Sequence, residues 1–345
     1  MVVGIALAHS GALASAYHPA ELTPVRALTQ WAVDPYPLAV LVVACGLYLL
    51  GVRRVRQARQ TWPVGRILAF CVGGCGLAFI ATSSFLSVYW PVLFYVRAFQ
   101  TVILLLGVPL FVMLGRPLSL AVAAVPALGR RITAVVAGRT ARVLTFPAIT
   151  ALVLVLTPFA LYFSPWFAAG FGSLPIREFT YLALVLPGLP FFWTLLRVDP
   201  VPKEYPYLVA LWVTAAEVVG DAALGLSVIA DHTLIAGGYY HALGRPWGPS
   251  LASDQVLGGG ALWVLGDIIG LPFLAAVLIA MISEDESQAR VVDSQLDAQE
   301  AERTREAEPS GPSASPTEEA HAPGLWWEHD PRFADRFAPV DPDAQ

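Results

Sequence analysis

Charge is scarce in this chain of 345 residues. Only 14% of them are Asp, Glu, Lys or Arg, 56% are hydrophobic, and the mean hydropathy is +0.62. Soluble domains carry about 25% charged residues, so this composition excludes one and reads as a polytopic membrane protein. Cysteine is nearly absent too. The three present, Cys45, Cys71 and Cys75, all fall in apolar stretches, which excludes an extracytoplasmic disulfide framework. With only three methionines, a thioether metal relay is disfavoured. There is no CxxC, HxH or HxxxH pair, and no phosphate-binding loop, dinucleotide fingerprint or nucleophile elbow. No basic aromatic surface points to nucleic acid.

Long apolar runs are what the chain has instead. Seven of them, near 36–52, 66–89, 94–114, 144–163, 178–196, 206–230 and 255–282, are long enough or nearly so to cross about 30 Å of hydrocarbon. The expected fold is therefore all-α, with seven transmembrane helices and membrane lipid as its surroundings. Of the 21 basic residues, seventeen fall in the connections after the odd-numbered runs and in the tail. The other four are Arg26, Arg97, Arg177 and Arg245. That asymmetry predicts an N-terminus outside and a C-terminus in the cytoplasm. Three regions follow: an outer segment over 1–35, a membrane domain over 36–282 and a charged cytoplasmic tail over 283–345. The first sixteen residues end in small side chains that a signal peptidase could accept, but they lack a positive leader.

The connection over 115–143 interleaves Ala, Val and Leu with arginines, the pattern of a helix lying on the membrane surface. The tail reads as a charged helix, then a disordered linker, then LWWEHDPRF. Trp326, Trp327 and Phe333 in that last stretch have the character of a docking peptide or of an aromatic anchor at the lipid interface.

Within the spans, acids stand out. Glu217 and Asp221 are four residues apart on one face of the sixth run, and Asp267 lies in the seventh. A carboxylate at such depth costs about 2.5–3.5 kcal/mol to insert. Such groups serve either as neutral hydrogen-bonding links between helices or as a proton or cation path. Gly266 and Gly270 frame Asp267 in a GxxxG pattern that admits close helix packing. His232 and His241, with Asp231 and Asp254 nearby, offer metal-ligand chemistry on the outer side, and His9 and His18 could join from the N-terminal segment. Cys71 and Cys75 share a helical face, suited to copper(I) or to plain packing in a glycine-rich seam.

Several segments together resemble the seven-helix CtaG-type cytochrome c oxidase assembly family of bacteria. They are DPYPLAVLVVACGLYLLGVRRVR with Trp62-Pro63, GVPLFVMLGRPLSL, GLPFFWTLLRVDPVP and GRPWGPSLASDQVLGGGALW, covering roughly 31–282. The motif residues are Asp254, Gln255, Gly258, Gly259 and Trp263. The resemblance implies a non-catalytic protein of the plasma membrane that supports oxidase biogenesis, partnered by oxidase subunits or other assembly factors, with copper as the implied metal. The sequence departs from the family where histidines are typical. Arg97 and Thr101 occupy two such positions around Gln100, and Glu217 and Asp221 stand near another. Arg97 cannot ligate a metal and keeps its charge, so pairing with Asp254 or Asp221 is expected. Two other classes stay open: a transporter using the midplane acids, and a scaffold acting through the tail.

Overall fold

Six helical stretches in the computed structural model are long and apolar enough to cross a bilayer, and a bent helix pair brings the number to seven. The chain is a multi-pass membrane protein. The structure describes residues 19–136, 138–197, 199 and 205–307, and every regular element among them is helical. We label the main helices α1 (Pro35–Gln57), α2 (Val64–Tyr89), α3 (94–114), α4 (Pro147–Tyr162), α5 (Leu174–Leu196), α6 (Tyr207–Ala230) and α7 (Leu251–Ile279). The chain divides between Glu286 and Ser287 into two units. All seven helices belong to the first, and the described residues of the second, 287–307, are helical.

Most of α3 is buried. Val96, Ala98, Leu104 and Leu106 have almost no exposed surface, and α2 and α5 pack against it. By contrast, α1 leaves Val40, Val43, Leu47 and Leu50 exposed, an apolar face suited to lipid. One end of α1 is anchored by a separate cluster. The Tyr48 hydroxyl donates to the Gly115 carbonyl at 2.7 Å and accepts from Trp62 Nε1 at 3.2 Å, while its ring stacks on Phe70.

Arginines close three of the helices. Arg59, Arg116 and Arg197 follow α1, α3 and α5, each with positive φ (58°, 53° and 50°). After α1 the motif is complete: Arg59 N–H bonds Arg56 O and Gln60 N–H bonds Val55 O. Glycine usually fills this left-handed position, because a side chain there costs about 1–2 kcal/mol. Arginine offsets part of that cost by holding a cation at the negative end of the helix dipole.

Two expectations need correction. The fourth run, 144–163, holds one helix, α4, of only 16 residues, which reaches span length together with a second helix beyond the run, Pro165–Gly172, set at 64° to it. Ser164 is extended and its Oγ accepts the Trp166 N–H at 3.2 Å, so Ser-Pro starts a new helix at that point. The 115–143 connection is three short helices, Pro117–Ala124, Pro126–Val136 and Arg139–Leu144, broken at the residues before Pro117 and Pro126 and near Gly138. Pro187 and Pro190 lie within α5, which remains helical through both.

Candidate functional site

The motif residues at the start of α7 fasten three other elements together. Both oxygens of Asp254 accept main-chain N–H groups from the first turn of α3, Phe94 at 3.1 Å and Tyr95 at 3.0 Å. A helix start has four such donors without intrahelical partners, and α3 has no side-chain cap of its own. Asp254 supplies the cap from across the bundle and also pairs with Arg245 at 3.3 Å, with 1% and 3% of the two side chains exposed. Gln255 binds the neighbouring turn. Its Oε1 accepts the Ile235 N–H at 2.8 Å, and its Nε2 donates to the carbonyls of Val228, Asp231 and Thr233. The end of α6 and the chain leaving it are thereby tied to α7.

The glycines that follow set the helix spacing. A Cβ on Gly258 would strike the Phe94 ring, and one on Gly259 would lie 2.7 Å from the Gly225 carbonyl oxygen of α6. In return, the Cβ of Trp263 rests against Gly225. Gly260 faces open space. Two of the three consecutive glycines thus serve close backbone approach, the packing that small residues permit in membranes.

A second carboxylate performs the same service elsewhere. Asp199, in the segment RVDPVP, accepts the N–H groups of Leu118 (3.1 Å) and Ser119 (2.9 Å), which open the Pro117–Ala124 helix. That helix follows directly on Arg116, whose left-handed backbone ends α3.

One turn inside α3, Arg97 is 3% exposed. The expected carboxylate partner is absent: among the described residues no acid pairs with it, and Asp254 is engaged by Arg245 instead. Its Nη1 donates to Gln100 Oε1, and its guanidinium lies over the rings of Trp90 (4.9 Å) and Tyr181 (5.8 Å). Aromatic faces attract a cation by their quadrupole, which is how this charge is accommodated without an acid. Its Nε has no hydrogen-bond partner. Gln100 passes its own amide to Ala81 O at 2.7 Å, and Thr101 Oγ1 meets the Tyr162 hydroxyl at 2.9 Å. Nearby Tyr240, on the short helix Gly237–Leu243, is buried. Burial pushes its hydroxyl well above the ordinary tyrosine range, so it stays protonated.

Glu217 and Asp221 are buried on α6 and lie against α7 at Gly270 and Gly266. Those glycines leave the room that the two carboxyl groups fill. Asp267 stands beside them, with Oδ1 lacking a partner, and no ion pair reaches any of the three among the described residues.

His232 and His241 are exposed, and Asp231 is occupied by Thr233, whose N–H (2.8 Å) and Oγ1 (2.6 Å) lower its pKa. No three His, Cys, Asp or Glu side chains among the described residues are placed to hold a metal together. Cys71 and Cys75 sit in a stretch of α2 wound as a π-helix, Ala69–Gly76, and Cys71 Sγ lies 3.4 Å from Cys45 Sγ of α1. His9, His18, Trp326, Trp327 and Phe333 lie outside the described residues.

Sequence reasoning passed over Arg245, Asp199, Tyr162 and Cys45 as site residues. Asp199 had a signal, its place in a Pro-flanked motif. Cys45 had another, as the remaining member of a set of three. Arg245 had one too, nine residues before Asp254 in the same family segment, whereas Tyr162 gave none, since its partner Thr101 comes from a distant helix.

The geometry defines a class: a polytopic helical membrane protein whose polar motifs fasten its frame and whose interior is lined with arginine, amide, hydroxyl and carboxyl groups. The family follows from the sequence match. The chain belongs to the cytochrome c oxidase caa3 assembly factor family, whose model covers residues 46–284. It is similar to uncharacterized proteins of Mycobacterium bovis and Mycobacterium tuberculosis, each 26% identical over 297 residues, 84% of this chain and 45% of the relative. It is also similar to one of Mycobacterium leprae, 27% identical over 282 residues, 79% of this chain and 43% of the relative. The chain thus spans less than half the length of these relatives. No solved structure matches it.

Proposed function

We propose that the protein is a non-catalytic assembly factor of the bacterial plasma membrane that supports biogenesis of a copper-containing haem oxidase in the respiratory chain, by helping copper reach its binuclear centre. The observation that carries this reading is the family match over 46–284. Seven spans, an outer N-terminus and a cytoplasmic C-terminus complete it, supported by the distribution of Arg and Lys between alternate connections. Its partners are oxidase subunits or other assembly factors. The region after residue 282 acts as a cytoplasmic extension whose terminal aromatics dock on a partner.

The test is a reduced-minus-oxidised haem spectrum of membranes from cells lacking the chain, grown with and without added copper. Loss of the oxidase band that copper restores is the expected result. Loss that copper does not restore would replace delivery by scaffolding, and an unchanged spectrum would overturn the oxidase reading.

Transport is a second reading, favoured by Glu217, Asp221 and Asp267 lying together with no Arg or Lys paired to them among the described residues. Its test is proton and cation flux in vesicles carrying Glu217→Gln with Asp221→Asn. Unchanged flux removes it.

A further inference from the structure

All three cysteines of the chain gather in one region, and two of them touch. Cys45, midway along α1, and Cys71 of α2 bring their Sγ atoms to 3.4 Å, both as free thiols. Both are only partly buried. The position of Cys71 is imposed by its surroundings. The Ala69–Gly76 stretch is wound wider than an α-helix, as is Ile103–Gly107 of α3, a distortion frequent at functional sites. On α3, Phe111 and Val112 press onto Gly73 and Gly74. A Cβ would lie 2.8 Å from Phe111 Cβ at the first and 2.7 Å from Val112 Cγ2 at the second. The backbone of α2 is therefore locked against α3 by its glycines, and that contact fixes where the thiol stands relative to α1.

From this geometry we infer that Cys45 and Cys71 form a two-sulfur binding site for copper(I). Donor number and donor softness select the ion together. No set of three or more His, Cys, Asp or Glu side chains is arranged for a metal among the described residues. A four-ligand zinc site therefore has no ligand set here. Thiolates without carboxylate or imidazole partners favour the soft cuprous ion, which accepts low coordination, over calcium, magnesium or manganese. As Cu⁺ leaves the ligand that carries it in, that ligand takes up the proton of one thiol, and the second sulfur binds as a neutral thiol. The exchange of H⁺ for Cu⁺ leaves the charge of the pair unchanged, as a site within the membrane requires. Copper stays cuprous throughout, so no oxidant or reductant is required. Cys75, on the next turn of the same face, also interacts with Cys45, but the 3.4 Å sulfur contact is between Cys45 and Cys71, so Cys75 is the comparison that separates a two-sulfur site from a three-sulfur one. The site deepens the copper reading above and rests on it for its biological purpose, as the place where the cargo is held within the membrane.

The experiment uses the full chain purified in detergent, loaded with Cu(I) without oxygen and competed against the chromogenic cuprous chelator bathocuproine disulfonate. The expected result is one copper per chain, with X-ray absorption showing sulfur as the only close neighbour. Cys45→Ser and Cys71→Ser should each weaken retention by more than about 100-fold, beyond what losing an outer hydrogen bond costs a metal site. Cys75→Ser should retain the metal, and the wild type should retain no Zn²⁺ under the same competition. Equal elution profiles and helical circular dichroism certify that the variants fold. The proposal is overturned if the wild type holds no copper, or if both Cys45→Ser and Cys71→Ser hold it as tightly as the wild type. The oxidase spectrum separates this outcome from that of the assembly reading. An empty wild-type protein in cells whose oxidase still depends on the chain removes the site and leaves the function. A copper-binding protein in cells whose oxidase ignores the deletion does the reverse.

Discussion

Asp254 of α7 accepts the main-chain N–H of Phe94 at 3.1 Å, joining residues 160 apart in sequence at the first turn of α3. The same carboxylate carries the Arg245 ion pair. A buried pair that loses one partner leaves the other charge stranded, at a cost of about 3–5 kcal/mol. Asp254→Asn should lower stability by that amount in thermal unfolding in detergent. Removing the stranded cation with Arg245→Met in the same chain should recover part of it. A double variant no better than the single would show that the cap, not the charge, is what matters.

Asp199 tests the smaller of the two caps. Losing a helix cap costs about 0.5–2 kcal/mol, and here the loss should be local. Asp199→Ala is expected to speed amide hydrogen exchange over the Pro117–Ala124 helix while exchange in α4 and α6 stays as it was. Uniform acceleration across the bundle would refute a purely local role.

Neighbouring glycines should behave oppositely. Gly259→Ala forces a methyl group to 2.7 Å from the Gly225 carbonyl oxygen, backbone against backbone, whereas Gly260→Ala meets nothing within 4 Å. Overpacking costs about 1–3 kcal/mol, and an unobstructed Gly-to-Ala change in a helix gains roughly 0.5–1 kcal/mol. Melting temperatures of the two variants should therefore fall on either side of the parent. Similar shifts in both would mean that α6 and α7 do not approach at this seam.

Arg97 should prove less important to stability than its burial suggests. With no acid partner among the described residues to strand, Arg97→Met leaves Gln100 Oε1 without its donor, a loss of about 1–3 kcal/mol. The Arg97→Met, Gln100→Leu double variant should recover stability in the same melt. A larger drop in the single variant that the second change does not relieve would indicate a counter-charge.

The helices were legible because lipid demands long apolar runs, and those runs end at proline, glycine and arginine. The seam at Gly258 and Gly259 was legible for a similar reason, since consecutive glycines in a membrane helix have few uses other than close packing. Pairing was less legible. Charge alone marked Asp254 as a partner for Arg97, but Arg245, nine residues away on the same connection, reaches it first. Nothing in the stretch YVRAFQTV shows that Trp90 and Tyr181 will accommodate a guanidinium, because their ring positions depend on the 64° bend after α4 and on the packing of α5. The contact between Cys45 and Cys71 was hidden likewise, since it depends on a widened helical turn that has no distinctive residue pattern.

The two borrowed caps also bear on how the chain is made. Synthesis delivers the N-terminal helices first, yet the N–H groups of Phe94 and Tyr95 wait for Asp254, and those of Leu118 and Ser119 wait for Asp199. An unsatisfied amide in lipid costs several kcal/mol. The third helix therefore enters the membrane unfinished and is completed only when the seventh arrives, so a nascent chain stalled before residue 254 should hold a bundle with its central helix unfastened.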